Sequence, residues 1–230
     1  MSGRTLSRSV EDYLKAIYGL QESGDAASTT AIAEALDIQP ASVTGMIKRL
    51  AETELLEHVP YRGVRLTKRG VREALRVVRR HRILETYLCE RLGFAWEDVH
   101  DEAERLEHAA SDDLIEKMAA ALAFPMHDPH GAPIPTVAGD IESTGPSTLA
   151  DARPGTRLRI RAVRDEDSAY LRSMAAEGLV PGARVRVAET QRVAGSVEFS
   201  LGAGEEARSV EGSLARQIYV VPDDEDDAGD

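Results

Sequence analysis

A single cysteine, Cys89, occurs in the 230 residues, so an internal disulfide is excluded and the thiol is read as a packing group. No segment approaches the roughly 18 uninterrupted apolar residues of a membrane span. The N-terminus runs straight into an amphipathic pattern instead of the charged, apolar and small-residue order of a signal peptide. These absences set the expectation of a cytoplasmic protein. Also missing is any recognisable nucleophile or substrate-pocket motif, which counts against an enzyme. What remains is 42% apolar content, enough for one good core or two to three small ones, so several compact domains are expected.

The net charge of −12 is unevenly spread. Residues 1–80 hold 13 Lys and Arg against 10 Asp and Glu, whereas residues 81–230 hold 15 against 30. Between residues 58 and 82, Arg62, Arg65, Lys68, Arg69, Arg72, Arg76, Arg79, Arg80 and Arg82 face Glu73 alone. Such a stripe suits either a solvated helix face or the neutralisation of several phosphates.

The sequence before the stripe favours phosphates. Val10, Leu14, Ile17, Tyr18 and Leu20 recur near helical spacing over residues 8–21, and a serine or threonine among residues 28–30 caps a short second helix ending at Leu36. A tight connection at 37–39 leads to Pro40, tolerated in a first helical turn, and to a third helix from about Ala41 to Glu54. This is a helix-turn-helix pattern whose third helix opens on small polar residues. Residues 55–67 then read as two short strands around Tyr61-Arg62-Gly63, a wing holding His58, and Thr67 caps a long helix reaching about Leu92. Gln39, Ser42, Thr44, Tyr61 and Arg62 are the candidate contacts to double-stranded DNA.

His100, Glu104, Glu107 and His108 stand at offsets that form one stripe if residues 97–123 are a single helix, and His81 with Glu85 repeats the i, i+4 spacing on the long helix. Imidazoles and carboxylates on helix faces that otherwise want apolar groups suit a divalent metal. The apolar residues of the two helices exceed what either can bury alone, so a homodimer is expected. His127 and His130 read as turn residues in the proline-rich stretch 124–135. A polar linker over 137–150 leads to alternating segments at Leu158, Arg184, Ser196 and Gln217, with a short helix over residues 168–177, read as a small SH3-like β-barrel. The acidic C-terminus is read as a disordered tail.

The order Glu11-Asp12-Tyr13-Leu14, helix-turn-helix, Tyr61-Arg62-Gly63, Arg80-His81-Arg82-Ile83-Leu84-Glu85 and Val99 through His108 resembles the diphtheria toxin repressor family of iron and manganese regulators, closely over residues 6–136 and loosely beyond. The resemblance implies a primary metal site of Asp12, Glu104, Glu107 and His108. It also implies an ancillary site of His81, Glu85 and His100, with Asp167 or Glu166 as a third-domain donor. Iron-responsive members carry methionine and cysteine at the positions of Asp12 and Glu104. Their replacement by hard carboxylates points to Mn2+, with Fe2+ as the alternative. Lys15 stands where manganese members often place a second carboxylate, which argues for two separate sites per subunit.

The fold expected is mainly α with a small β domain. A winged helix-turn-helix spans 1–72, a helical metal-binding and dimerisation domain 73–140, an SH3-like (FeoA-like) domain 150–222 and the tail 223–230. The function expected is a metal-dependent transcriptional regulator, not an enzyme, that uses the ion as corepressor over operator DNA and controls metal uptake genes. The alternatives are an iron-dependent regulator of the same family, a metallohydrolase with an accessory DNA-binding domain, and a winged-helix regulator answering to an organic ligand.

Overall fold

The computed structural model describes residues 6–21, 24–142, 145, 147–164, 168–188, 196–202 and 206–223. Asp167 and Glu166, most of the acidic tail, and parts of the linker lie outside the described residues. The chain divides into two compact units. One comprises residues 1–81, 105–112 and 135–140, and the other residues 82–104, 113–134 and 141–230.

The first unit starts with α1 (Arg8–Leu20), α2 (Thr29–Ala35) and α3 (Pro40–Glu52). Ser28 caps α2 by accepting a hydrogen bond from the Ala31 amide at 3.1 Å, and Pro40 takes the first position of α3. Leu14, Ile17, Ile32, Val43 and Leu50 are almost wholly buried where the three helices meet. The hairpin of β1 (Leu56–Val59) and β2 (Gly63–Leu66) follows, paired antiparallel with Leu56 opposite Leu66 and Val59 opposite Gly63. Gly63 is required there: its φ is +121°, and a Cβ would stand 2.1 Å from the Ala27 carbonyl oxygen. Thr67 accepts from the Gly70 amide at 3.1 Å and opens α4 (Lys68–Leu92), as the sequence anticipates.

The expected single helix over 97–123 is two helices, α5 (Val99–Leu106) and α6 (Asp112–Ala121). The break falls at the ligand stripe. The Ala109 and Ala110 amides both reach back to the Leu106 carbonyl, closing α5 in a turn that holds Glu107 and His108. No helix among the described residues is long and apolar enough to cross a membrane.

In the second unit, β3 (Arg157–Val163), α7 (Ser168–Ala176), β4 (Arg184–Val187), β5 (Ser196–Leu201), β6 (Arg208–Glu211), the short α8 (Gly212–Ala215) and β7 (Ile218–Pro222) build a five-stranded antiparallel sheet in the order β6-β5-β4-β3-β7. Its core is Leu149, Ile160, Leu171, Met174, Leu179, Val197 and Phe199. The strand β6 goes unread in the sequence, since its four residues hold one buried apolar side chain, Val210. Gly131, φ +84°, lies so close to β3 that a Cβ would stand 2.0 Å from the Arg161 carbonyl oxygen.

Candidate metal centre

In the first unit three elements converge. Asp12 comes from α1, His81 from α4, and Glu107 and His108 from the turn after α5. His108 Nδ1 lies 2.7 Å from Glu11 Oε2, to which it donates, and Arg80 Nη1 holds the other Glu11 oxygen at 3.1 Å. The imidazole is thereby oriented with Nε2 facing Asp12 Oδ1 at 2.8 Å and Glu107 Oε1 at 3.3 Å. Both His108 Nε2 and Glu107 Oε1 are buried and make no hydrogen bond. A nitrogen lone pair and two carboxylate oxygens held this close are stable only with positive charge among them. Asp12, Glu107 and His108 offer ligand atoms within 4.8 Å of one another. This donor set of oxygens plus one imidazole fits a divalent cation, with Glu11 fixing the ring as carboxylates beside metal-binding histidines do.

Glu107 is wholly buried. Its Oε2 accepts from Lys15 Nζ at 2.9 Å and from His81 Nδ1 at 2.6 Å, and the two donors are 3.0 Å apart. Burial pushes the carboxyl up, but the His81 hydrogen bond and the Lys15 charge outweigh it and hold Glu107 below the usual carboxylate range.

A second cluster lies in the other unit. Glu85, Asp128 and His130 are all buried, with ligand atoms within 4.8 Å of one another. His130 Nε2 donates to the Trp96 carbonyl at 2.7 Å, which turns Nδ1 toward Glu85 Oε2, 4.0 Å away. One Asp128 oxygen accepts from the amides of His130 and Ala132, both at 2.9 Å, and the other lies 3.4 Å from Arg82 Nε.

The residues expected from sequence are distributed as follows. Asp12, Glu107 and His108 come together, with Glu11 and Lys15 added. Glu104 lies in the second unit, 3.9 Å from His100 Nε2, and His100 Nδ1 is 3.3 Å from Glu85 Oε1. His81 belongs to the first unit, beside Glu107. His130 sits in a turn, as expected, but is wholly buried. The proline and glycine that flank Asp128 and His130 mark a turn and mask them as ligands, although the adjacency Asp-Pro-His is a signal for a buried pair.

The DNA-contact candidates Gln39, Ser42, Thr44, Tyr61 and Arg62 are all exposed: Gln39 caps α3, Ser42 and Thr44 lie in its first turns, and the last two stand at the hairpin tip. Only part of the basic stripe is available to phosphates. Arg76 and Arg80 pair with Asp112, Arg80 also with Glu11, and Arg79 and Arg82 donate to the carbonyls of Pro135 and Pro133.

Three family models match the chain: the iron dependent repressor N-terminal DNA binding domain over residues 5–64, the iron dependent repressor metal binding and dimerisation domain over 67–136, and the FeoA domain over 147–222. The iron-dependent repressor IdeR of Mycobacterium tuberculosis is 33% identical over 195 residues, covering 78% of this chain and 84% of that one. The regulator MntR of Oceanobacillus iheyensis is 42% identical over 110 residues, 48% of this chain and 74% of that one. Among solved structures, a manganese-dependent transcriptional repressor in complex with manganese superposes with a TM-score of 0.87 at 38% identity, covering 93% of this chain and 99% of that one. The repressor ScaR with bound zinc gives 0.82 at 29%, covering 93% and 99%. The chain therefore belongs to the diphtheria toxin repressor family of metal-dependent transcriptional repressors, which are not enzymes.

Proposed function

We propose that this chain is a manganese-responsive repressor that binds operator DNA as a homodimer and governs metal uptake genes. The observation that carries the metal assignment is the convergence of His108 Nε2, Glu107 Oε1 and Asp12 Oδ1 in a pocket where two of the three atoms are buried without a hydrogen bond. These three residues hold the ion, with Glu11 orienting the imidazole. Hard oxygen donors suit Mn2+, with Fe2+ the alternative, although affinity alone rises toward the later first-row metals. Glu85, Asp128 and His130 hold a second ion, a set that shares Glu85 with the ancillary site of His81, Glu85 and His100 expected from sequence.

When bound, the metal supplies neutralisation and a cross-link between α1 and the turn after α5. Asp12 lines a cleft with Ser42, Gly45 and Arg49 of α3, so fixing α1 fixes the platform beneath the recognition helix. Operator binding then selects the same conformation, and DNA and metal tighten one another's binding. Leu114, Phe124 and Met126, exposed large apolar side chains, support the dimer.

The test is operator affinity, on a duplex selected from random sequence with Mn2+ present, measured side by side with Mn2+, Fe2+, Zn2+ and chelator. Manganese is expected to tighten binding most at its cellular concentration. An affinity that chelator leaves unchanged ends this reading.

A further inference from the structure

Glu107 is turned two ways. Its Oε1 faces an imidazole nitrogen and a carboxylate, His108 and Asp12, whereas its Oε2 faces an imidazole nitrogen and an ammonium, His81 and Lys15. One oxygen on each side is how a carboxylate bridges a pair of cations. On the second side a cation is already present as part of the chain. We propose that Lys15 is a tethered cation that fills the second-ion position of this pocket and restricts it to a single divalent ion. This rests on the metal-responsive reading above and adds a residue that sets the pocket's nuclearity.

Charge balance supports it. Among the five charges nearest the buried carboxylate, Glu11, Asp12 and Glu107 face Lys15 and Arg80, leaving one net negative charge; Asp112 pairs with Arg76 and Arg80, and Arg76 also with Glu73. One divalent ion brings the pocket to a single positive charge. A second, on top of the ammonium, would bring it to three in a site where Glu107 is wholly buried, which low-dielectric surroundings oppose. With Lys15→Glu the same group carries four carboxylates and one guanidinium, so two divalent ions restore the single positive charge that one ion gives the natural chain. Lys15 also keeps Glu107 partnered before any ion arrives, since Nζ is 2.9 Å from Oε2 and the lysine side chain is four-fifths buried.

The test is Mn2+ titration of the full chain followed by electron paramagnetic resonance. Only ions sharing a carboxylate, about 3.5–4 Å apart, give an exchange-coupled spectrum. Ions held at Glu85, Asp128 and His130 add to the isolated-ion signal alone. The natural chain is expected to show the isolated-ion spectrum at every loading, and Lys15→Glu a coupled pair at high loading. A coupled pair in the natural chain, or none in a folded Lys15→Glu, overturns the proposal. Should Lys15→Glu not fold, Lys15→Gln serves: losing the neighbouring cation should tighten the first ion about tenfold, and unchanged or weaker affinity counts against the idea. A natural chain that binds no manganese at all brings down the metal-responsive reading instead, and this proposal with it.

Discussion

Replacing Glu107 by glutamine keeps its volume and removes its charge, and the consequences differ with and without metal. In chelator, the carboxylate accepts from Lys15 at 2.9 Å and from His81 at 2.6 Å. Hydrogen bonds to charged groups contribute roughly 1.5–3 kcal/mol each. Lys15, with 21% of its side chain exposed, is screened toward the lower end. Glutamine can still turn its carbonyl oxygen to both donors, so what is lost is the charge on the acceptor, and the first unit should lose about 2 kcal/mol, read from urea unfolding in chelator. The sign of the pH dependence follows from Glu107's lowered pKa. Its stabilisation is fully present above the unfolded value of about 4.3 and fades as pH falls through the lower folded value, so the difference between natural chain and variant should shrink only below about pH 4. With manganese, the pocket loses one of its anionic oxygens, and the affinity read by calorimetry should drop by more than the 10–100-fold typical of losing an outer partner. Natural metal affinity in Glu107→Gln would refute the ligand assignment. Equal stability at pH 7 in chelator would refute the electrostatics.

Glu11→Gln should weaken manganese binding by roughly 10–100-fold while leaving the number of ions unchanged, because Glu11 orients His108 without facing the ion; calorimetry separates the two quantities. Asp128→Asn combined with His130→Ala should lower bound manganese by one ion per chain in equilibrium dialysis, and an unchanged count would dismiss the second cluster. Arg62→Ala should weaken operator binding and reduce the slope of log affinity against log salt by about one, as loss of a single phosphate contact does; an unchanged slope would place the wing tip away from the backbone.

Much of the fold was legible because its signals are local. Pro40, Ser28 and Thr67 mark helix starts by their own chemistry, and Gly63 marks the hairpin by a conformation that other residues resist. The metal centre was legible in part. Spacing identified Glu107 and His108 as neighbours in function but put them on a continuous helix, since nothing at residues 107–111 breaks helical periodicity as proline would. The partners that hold Glu107 in the turn are distant: Lys15 and His81 stand 92 and 26 residues away in sequence. Glu11 and Arg80 were equally invisible as partners, because they meet through distant helices. The basic stripe misled in the opposite direction, since composition cannot show that Arg80 and Arg82 are committed inward.

Asp12 differs from its companions in one respect that bears on how such a sensor changes over time. Its side chain is 33% accessible, against 8% for His108 and 0% for Glu107. A swap at position 12 alters donor hardness at little cost to the core, whereas the inner pair is fixed by everything packed around it. Preference for one metal over another can thus drift through a single peripheral codon while the architecture that transmits the signal is inherited intact.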